Sequence, residues 1–263
     1  MTAAPIVVTT DPRGVATVTL DRAEKHNAFD DVLIAALADA FRRLGTDDGV
    51  RVMILTANGK SFSAGADINW MKRMAGAAET ENIRDAYALA DMLRLLNDMP
   101  KPTLALVQGA ALGGGVGLVA CCDIALAADQ ATFALSEVRL GLIPATIGPY
   151  VVGAIGARAA RRYFLTAERF GADRACALGL VHAVAPGAEL AAAGERVLAD
   201  LLAGGPKAQD EAKALIRAIA GRPIADDLID DTARRIARVR AGDEAREGLD
   251  AFLSKRKPSW VRE

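Results

Sequence analysis

The chain has 263 residues, 52% of them hydrophobic, enough for one large domain or for one domain with an appendage. Its 32 Lys and Arg balance 33 Asp and Glu to a formal net charge of −1, so it lacks the basic field that recruits nucleic acid or an anionic membrane. No apolar run reaches the ~18 residues of a membrane span, and the residues after Met1 show neither a basic n-region nor an apolar h-region. The expectation is a cytoplasmic protein without leader or span. Cys121, Cys122 and Cys176 are an odd set with an adjacent pair, which fits no disulfide framework, and no Cys/His spacing reads as zinc, so no metal is expected.

In chain order, Val7-Val8 opens a strand, Asp11-Pro12-Arg13-Gly14 is turn chemistry, and Val15 to Leu20 alternates as a second strand does. Asp30 or Asp31 caps a helix running to about Leu44, with Leu33, Leu37 and Phe41 on its apolar face. Val50 to Thr56 reads as a buried strand between Gly49 and Gly59. A long helix spans about Thr80 to Asn97 and is stopped by Pro100 and Pro102. Thr103 to Val107, Asp123 to Ala127 and Thr132 to Leu135 read as further strands, which makes the core α/β. After Gly204-Gly205 the strand signal ends. Pro206 suits a first helical turn, Gly221 suits a helix terminus, and from there to Phe252 the pattern is helical throughout. The expected organisation is an α/β core over 1–205 and a helical region over 206–263. The apolar positions Leu215, Ile216, Ile219, Leu228, Ile229 and Ile236 would be covered most simply by a neighbouring subunit.

Three segments carry candidate chemistry. Ser61-Phe62-Ser63-Ala64-Gly65-Ala66-Asp67-Ile68 joins a strand to a helix through small residues. It is either a tight turn or a place where a ligand approaches the backbone and meets the N–H of Ala66. Gln108-Gly109-Ala110-Ala111-Leu112-Gly113-Gly114-Gly115-Val116-Gly117 runs a strand into three glycines and an apolar helix. Those glycines either allow close packing or present N–H groups at a helix N-terminus to a phosphate or a developing oxyanion. The segment has no Lys-Ser/Thr of a P-loop, and Leu118 stands where a dinucleotide fingerprint needs its last glycine. Leu135-Ser136-Glu137-Val138-Arg139-Leu140-Gly141-Leu142-Ile143-Pro144 holds an isolated carboxylate beside apolar residues. Glu137 is there either a partner of Arg139, part of a capped loop, or a buried acid/base with a raised pKa.

In this order and spacing, and with Arg22-Ala23-Glu24-Lys25-His26-Asn27-Ala28 before them, these segments resemble the crotonase superfamily, the enoyl-CoA hydratases and isomerases. The resemblance reaches Phe252-Leu253-Ser254-Lys255-Arg256-Lys257-Pro258, essentially the whole chain. It implies a spiral of ββα turns with a C-terminal helical region that assembles trimers, often paired into hexamers. It implies an acyl-CoA thioester substrate, with coenzyme A part of that substrate and no further cofactor. It assigns the oxyanion-binding N–H groups to Ala66 and Gly114, the α-carbon acid/base to Glu137, and the coenzyme A path to Lys25, Ala64, Asp67 and Ile68, with Gly113 and Gly117 at the acyl end. Every family reaction passes through an enolate-like thioester, and two fixed N–H donors favour that oxygen's developing charge over the ground state.

Many family hydratases carry a second glutamate where this chain has Gly117. That departure leaves two enzymatic readings, hydration with Glu137 as the one carboxylate and Δ3,Δ2-enoyl-CoA isomerisation by the same group. An RNA-binding or scaffold member of the fold is the non-enzymatic alternative, opposed by the balanced charge and the intact motifs. The stretches Ala64 to Lys72, Gly113 to Val119 and Arg161 to Phe170 further resemble the bacterial methylglutaconyl-CoA and isohexenylglutaconyl-CoA hydratases. Glycine at 117 is expected to remove a charge from the acyl pocket and to free volume beside the β-carbon, with Lys72 or Arg73 as candidates to meet a distal carboxylate. His26 is expected as a loop residue near the coenzyme A path, His182, Cys121-Cys122, Trp70 and Met71 as structural, and Lys255-Arg256-Lys257 as a solvated face that the resemblance would also let reach the coenzyme A phosphates of a neighbouring subunit.

Overall fold

The computed structural model describes residues 4–261. The first three residues, on which the expectation of no leader partly rests, and the last two lie outside it.

Two sheets organise the core. In the first, β1 (Ile6–Thr10) runs antiparallel to β2 (Val15–Leu20), and β3 (Val52–Ala57), β5 (Thr103–Val107), β7 (Ile124–Ala128) and β10 (Ala183–Ala185) continue it in parallel. The second is made of much shorter strands, β4 (Ser61–Ser63), β6 (Ala110–Leu112), β8 (Thr132–Ala134) and β9 (Phe170–Gly171), with β4, β6 and β8 parallel. Three successive turns of the chain each lay one strand in the first sheet, one in the second, and then helix. β3 and β4 lead to α2 (Ile68–Ala75) and α3 (Glu79–Asn97), β5 and β6 lead to α4 (Gly114–Cys121), and β7 and β8 lead to α5 (Gly148–Thr166). This repeated unit is the expected α/β core.

The helices follow their apolar spacing. Helix α1 (Asp31–Thr46) buries Leu33, Ile34, Leu37, Ala40, Phe41 and Leu44 on one stripe, and the Asp30 carboxylate caps it by accepting the Leu33 N–H at 2.9 Å. Helix α4 is apolar all round and correspondingly buried between the sheets and α5. Residues 172–178 form α6 (Ala172–Leu178), and α7 (Leu190–Ala203) covers the opposite face of the first sheet, packing Leu190 and Leu198 onto Val15, Val52, Ile54, Leu104 and Leu126.

The C-terminal region is helical, as expected: α8 (Pro206–Ile219), α9 (Asp226–Arg240) and α10 (Asp243–Leu253). It is not one continuous helix beyond Gly221. Residues 222–225 are irregular and Ala241-Gly242 breaks the chain again, because glycine at 242 takes an extended conformation that starts a new helix. Among the described residues, the ion pair of Lys213 with Asp123 fastens this region to the core. Lys213 of α8 reaches Asp123 at 2.6 Å and the Lys101 carbonyl at 2.9 Å, and the same carboxylate oxygen accepts the N–H and the hydroxyl of Thr103. Removing the ammonium leaves a largely shielded carboxylate with one partner fewer. Lys213→Ala should therefore lower stability by about 1.5–3 kcal/mol, the range for hydrogen bonds to charged groups, read as a fall in Tm; an unchanged Tm would mean that α8 is held by other contacts.

Candidate active site

The second sheet brings the first two candidate segments side by side. β4 ends in the Ala64–Asp67 turn and its neighbour β6 ends in the three glycines. The two turns touch backbone to backbone. A β-carbon on Gly65 would lie 3.0 Å from the Leu112 carbonyl oxygen, and one on Gly115 would lie 2.9 Å from that of Ser63. Gly65 also takes φ +82°, where an L side chain is strained, so glycine is required there on two counts.

A third segment completes the cradle. Phe29 forms an isolated parallel bridge with Ala66: its N–H donates to the Gly65 carbonyl and its own carbonyl accepts from Asp67, both at 2.7 Å. Residue 66 is skipped by this pairing, so its N–H points away from Phe29. The ring of Phe29 backs Gly114, 3.2 Å from where a β-carbon would stand. Gly114 is the first residue of α4, so its N–H has no acceptor within the helix, and the helix dipole adds to its partial positive charge. The structure thus places Ala66 and Gly114 on adjoining turns, each N–H left out of the local backbone pairing.

Glu137 faces the same turns. It opens a single 3-10 turn, Glu137–Leu140, and its Oε1 lies 3.0 Å from where a β-carbon on Gly113 would be. The second carboxylate oxygen, Oε2, is buried and has no hydrogen-bond partner. Of the three readings of this residue, pairing with Arg139 is excluded, because no hydrogen bond or ion pair joins the two. Burial raises its pKa above the ordinary carboxylate value, opposed in part by a hydrogen bond from its own backbone N–H.

Lys25, Ala64, Asp67 and Ile68 lie along the edge of this cradle. Lys25 ends a short 3-10 turn and is exposed, next to His26, whose carbonyl accepts the Ala64 N–H at 2.9 Å. Asp67 has a second duty that the sequence did not reveal, since its carboxylate caps α2 by accepting from Asn69 and Trp70. Ile68 is 66% exposed and available to a ligand.

Gly117 corrects one expectation. The volume that glycine was expected to free is filled, since a β-carbon there would lie 2.9 Å from the Ile147 Cβ, closer still to its Cγ2, and 3.5 Å from Leu93. Arg73 is engaged as well, paired with Asp31 at 2.7 Å. Several other residues singled out in the sequence have structural settings. Trp70 is buried, His182 accepts the Ala125 N–H, and burial pushes both thiols of Cys121 and Cys122 up, so neither is a ready thiolate. Arg256 is tied to Glu247 and Asp250 on an exposed surface.

Two residues of the cradle carried no signal in the sequence. Asn27 is fully buried, and its amide bridges Arg22, Asn58 and Ser61 while its carbonyl accepts the Ser63 hydroxyl. Phe29 holds both turns, as described. A surface concavity of about 650 Å³ lies elsewhere, along α5 and α6 with Arg158, Arg161, Arg162 and Arg174 around it, and contains none of the candidate residues. Among the described residues no group of three or more His, Cys, Asp or Glu is placed to hold a metal, and no helix is long and apolar enough to cross a membrane.

The site is thus two backbone turns, each with an N–H left out of the local pairing, and a buried carboxylate that faces them. The family model for enoyl-CoA hydratase/isomerase matches residues 10–263, and the chain belongs to that family. It is similar to the crystal structure of an enoyl-CoA hydratase from Shewanella pealeana, with 45% identity and a TM-score of 0.95 over 97% of this chain and 96% of that one. An enoyl-CoA hydratase from Mycobacterium smegmatis superposes with a TM-score of 0.92 at 33% identity, covering 98% and 99% of the two chains. The enoyl-CoA hydratase ACTT6 of Alternaria alternata is 35% identical over 91% of this chain and 78% of its own.

The burial of Glu137 has a consequence for stability. Its folded-state pKa is raised, so the native protein holds a proton that the unfolded chain releases earlier, and stability is lost as pH rises through that window. Glu137→Gln should therefore melt at a higher temperature than the wild type at neutral pH, with the gap closing as pH falls towards about 4. A variant less stable than wild type at pH 7 would contradict this assignment of the carboxylate's environment.

Proposed function

We propose that this protein is an enoyl-CoA hydratase, a lyase that adds water reversibly and syn across the double bond of a 2-enoyl-CoA thioester. The observation that carries the reading is the Glu137 carboxylate, buried with a free oxygen against the glycine turn that starts α4. In the dehydration direction Glu137 takes the proton from C2. The electrons move onto the thioester oxygen, where the N–H groups of Ala66 and Gly114 stabilise the charge. The enolate then expels the C3 hydroxyl, which leaves as water with the proton returned by Glu137. Hydration is the same path reversed. No resident cofactor is needed, coenzyme A being part of the substrate. Losing one such donor costs about 10²–10³-fold in rate, and losing an acid/base group about 10²–10⁴-fold.

A second reading is favoured by the same carboxylate being apolar-walled and by Gly117: Glu137 could carry a proton between C2 and C4, making the protein a Δ3,Δ2-enoyl-CoA isomerase. For the acyl group we propose a methylglutaconyl-type chain. The lack of a carboxylate at 117 spares a charged acyl group like-charge repulsion, and the subgroup resemblance points the same way, to leucine or acyclic-terpene breakdown. With Arg73 paired to Asp31, Lys72 is the candidate partner for the distal carboxylate.

The helical region 206–263 we propose as an assembly unit that makes trimers or pairs of trimers in the cytoplasm. In the single chain Ile216, Ile229, Ile236, Phe252 and Leu253 are all more than half exposed, a stripe a second copy would cover.

Purified protein should be given crotonyl-CoA, 3-methylglutaconyl-CoA and a 3-enoyl-CoA, with products resolved by mass spectrometry. Hydration adds the mass of one water, and isomerisation adds none. We expect hydration, with a higher kcat/KM for 3-methylglutaconyl-CoA than for crotonyl-CoA and at least a ~10²-fold loss in Glu137→Gln. Turnover of the 3-enoyl ester alone would favour the isomerase, and full activity in Glu137→Gln would remove that residue from the mechanism. Light scattering should give the mass of three or six chains, and a stable monomer at micromolar concentration would overturn the assembly.

A further inference from the structure

We propose that Ile147 is a specificity-determining residue of this site. Its buried side chain occupies the position that a carboxylate at residue 117 would need and leaves Glu137 as the one proton-transfer group at the reacting carbons. The inference rests on the reading of Glu137 given above and deepens it.

One loop delivers both residues. It begins at the 3-10 turn of Glu137 and ends at Ile147, the cap of α5. Along α4 the two contacts are stacked. Glu137 lies over Gly113, which caps α4, and Ile147 lies over Gly117, whose N–H donates to the Gly113 carbonyl at 3.2 Å. Gly113 and Gly117 are therefore about one 5.4 Å turn apart. A carboxylate on 117 would stand beside the Glu137 carboxylate, within reach of the same small substrate, and Ile147 is what stands there instead.

The space cannot be shared. A β-carbon at 117 would lie 2.9 Å from the Ile147 Cβ, well inside the ~3.5–4.0 Å of an ordinary carbon contact. Ile147 is 2% exposed, and its contact is through the branched β-carbon rather than a flexible tip, so it cannot swing aside into solvent. Glycine at 117 and isoleucine at 147 are thus one unit. The glycine is there to admit the isoleucine, and the void expected from the sequence is an apolar wall. With that space filled, attacking water has no second anion to hold it.

The test is a double-mutant cycle of Gly117→Glu, Ile147→Gly and their combination. Tm is measured beside the pH dependence of kcat/KM for crotonyl-CoA. Gly117→Glu alone should lower Tm and cut kcat/KM at least tenfold. Adding Ile147→Gly should recover both relative to Gly117→Glu, by at least tenfold in kcat/KM. It should also move the acidic limb of the pH profile to higher pH than in Ile147→Gly alone, because a neighbouring carboxylate disfavours ionisation of Glu137. Packing alone would not move that limb. Wild-type Tm and activity in Gly117→Glu would overturn the proposal, as would a double variant whose pH profile matches that of Ile147→Gly. Should the glutamate double variant not fold, Gly117→Ala with Ile147→Ala reads the same coupling in Tm, and absence of rescue there overturns the proposal. A wild type that hydrates no 2-enoyl-CoA would count against the hydratase reading only. The pH profile is then taken from exchange of the C2 hydrogen of a saturated acyl-CoA, which needs Glu137 alone.

Discussion

The chemistry proposed for this protein depends on two backbone turns being pressed together without side chains between them. Gly65 meets the Leu112 carbonyl, Gly115 meets the Ser63 carbonyl, and neither contact leaves room for a methyl group. That approach sets the N–H of Ala66 beside the start of α4, where the N–H of Gly114 lacks an internal acceptor. Backbone donors held this way do not reorient when charge develops on a ligand, which is the condition for stabilising a transition state more than a ground state. The parallel sheet beneath, with β4 and β6 adjacent, fixes the separation of the two turns, and the buried Asn27 and Phe29 lock the strap that runs over them.

Opposite the donors the fold accepts a local cost. A carboxylate with an unpartnered buried oxygen is unfavourable, and the cost appears as the raised pKa of Glu137. A structural carboxylate in this chain looks different: Asp123 holds Lys213 and Thr103, and Asp67 caps a helix. The contrast supports the proton-transfer role proposed for Glu137, since the other two carboxylates hold elements in place. On the proposed reading Ile147 keeps a second charge away from the first.

Much of this was legible in the sequence, for definite reasons. Val15–Leu20 and Thr103–Val107 could be read because buried strands of five or six residues leave runs of β-branched and apolar residues. α1 and α3 could be read from caps, proline stops and apolar spacing. Of the second sheet only β8 could be read as such, because β4, β6 and β9 are two or three residues long and owe their conformation to their neighbours. Glu137 stood out as a lone acid in an apolar stretch. Ile147 did not, because one more apolar residue among many carries no signal until the fold lays it on a glycine thirty positions away in the chain. For the same reason Gly117 was read as a vacancy when its neighbour had already taken the space. Asn27 was visible only as part of a motif, since its work is done through three backbone partners from separate segments.

The central claim is that the two turns and Glu137 form one enolate-stabilising site, whichever reaction the site completes. Incubating the protein with butyryl-CoA in deuterated water and following the C2 hydrogens by NMR tests it without need of a double bond or of water addition. The account predicts exchange of one of the two C2 hydrogens in the wild type, lost in Glu137→Gln and lost in Gly114→Pro when that variant retains its fold. Exchange that persists in both folded variants, or that takes both hydrogens equally, would contradict it.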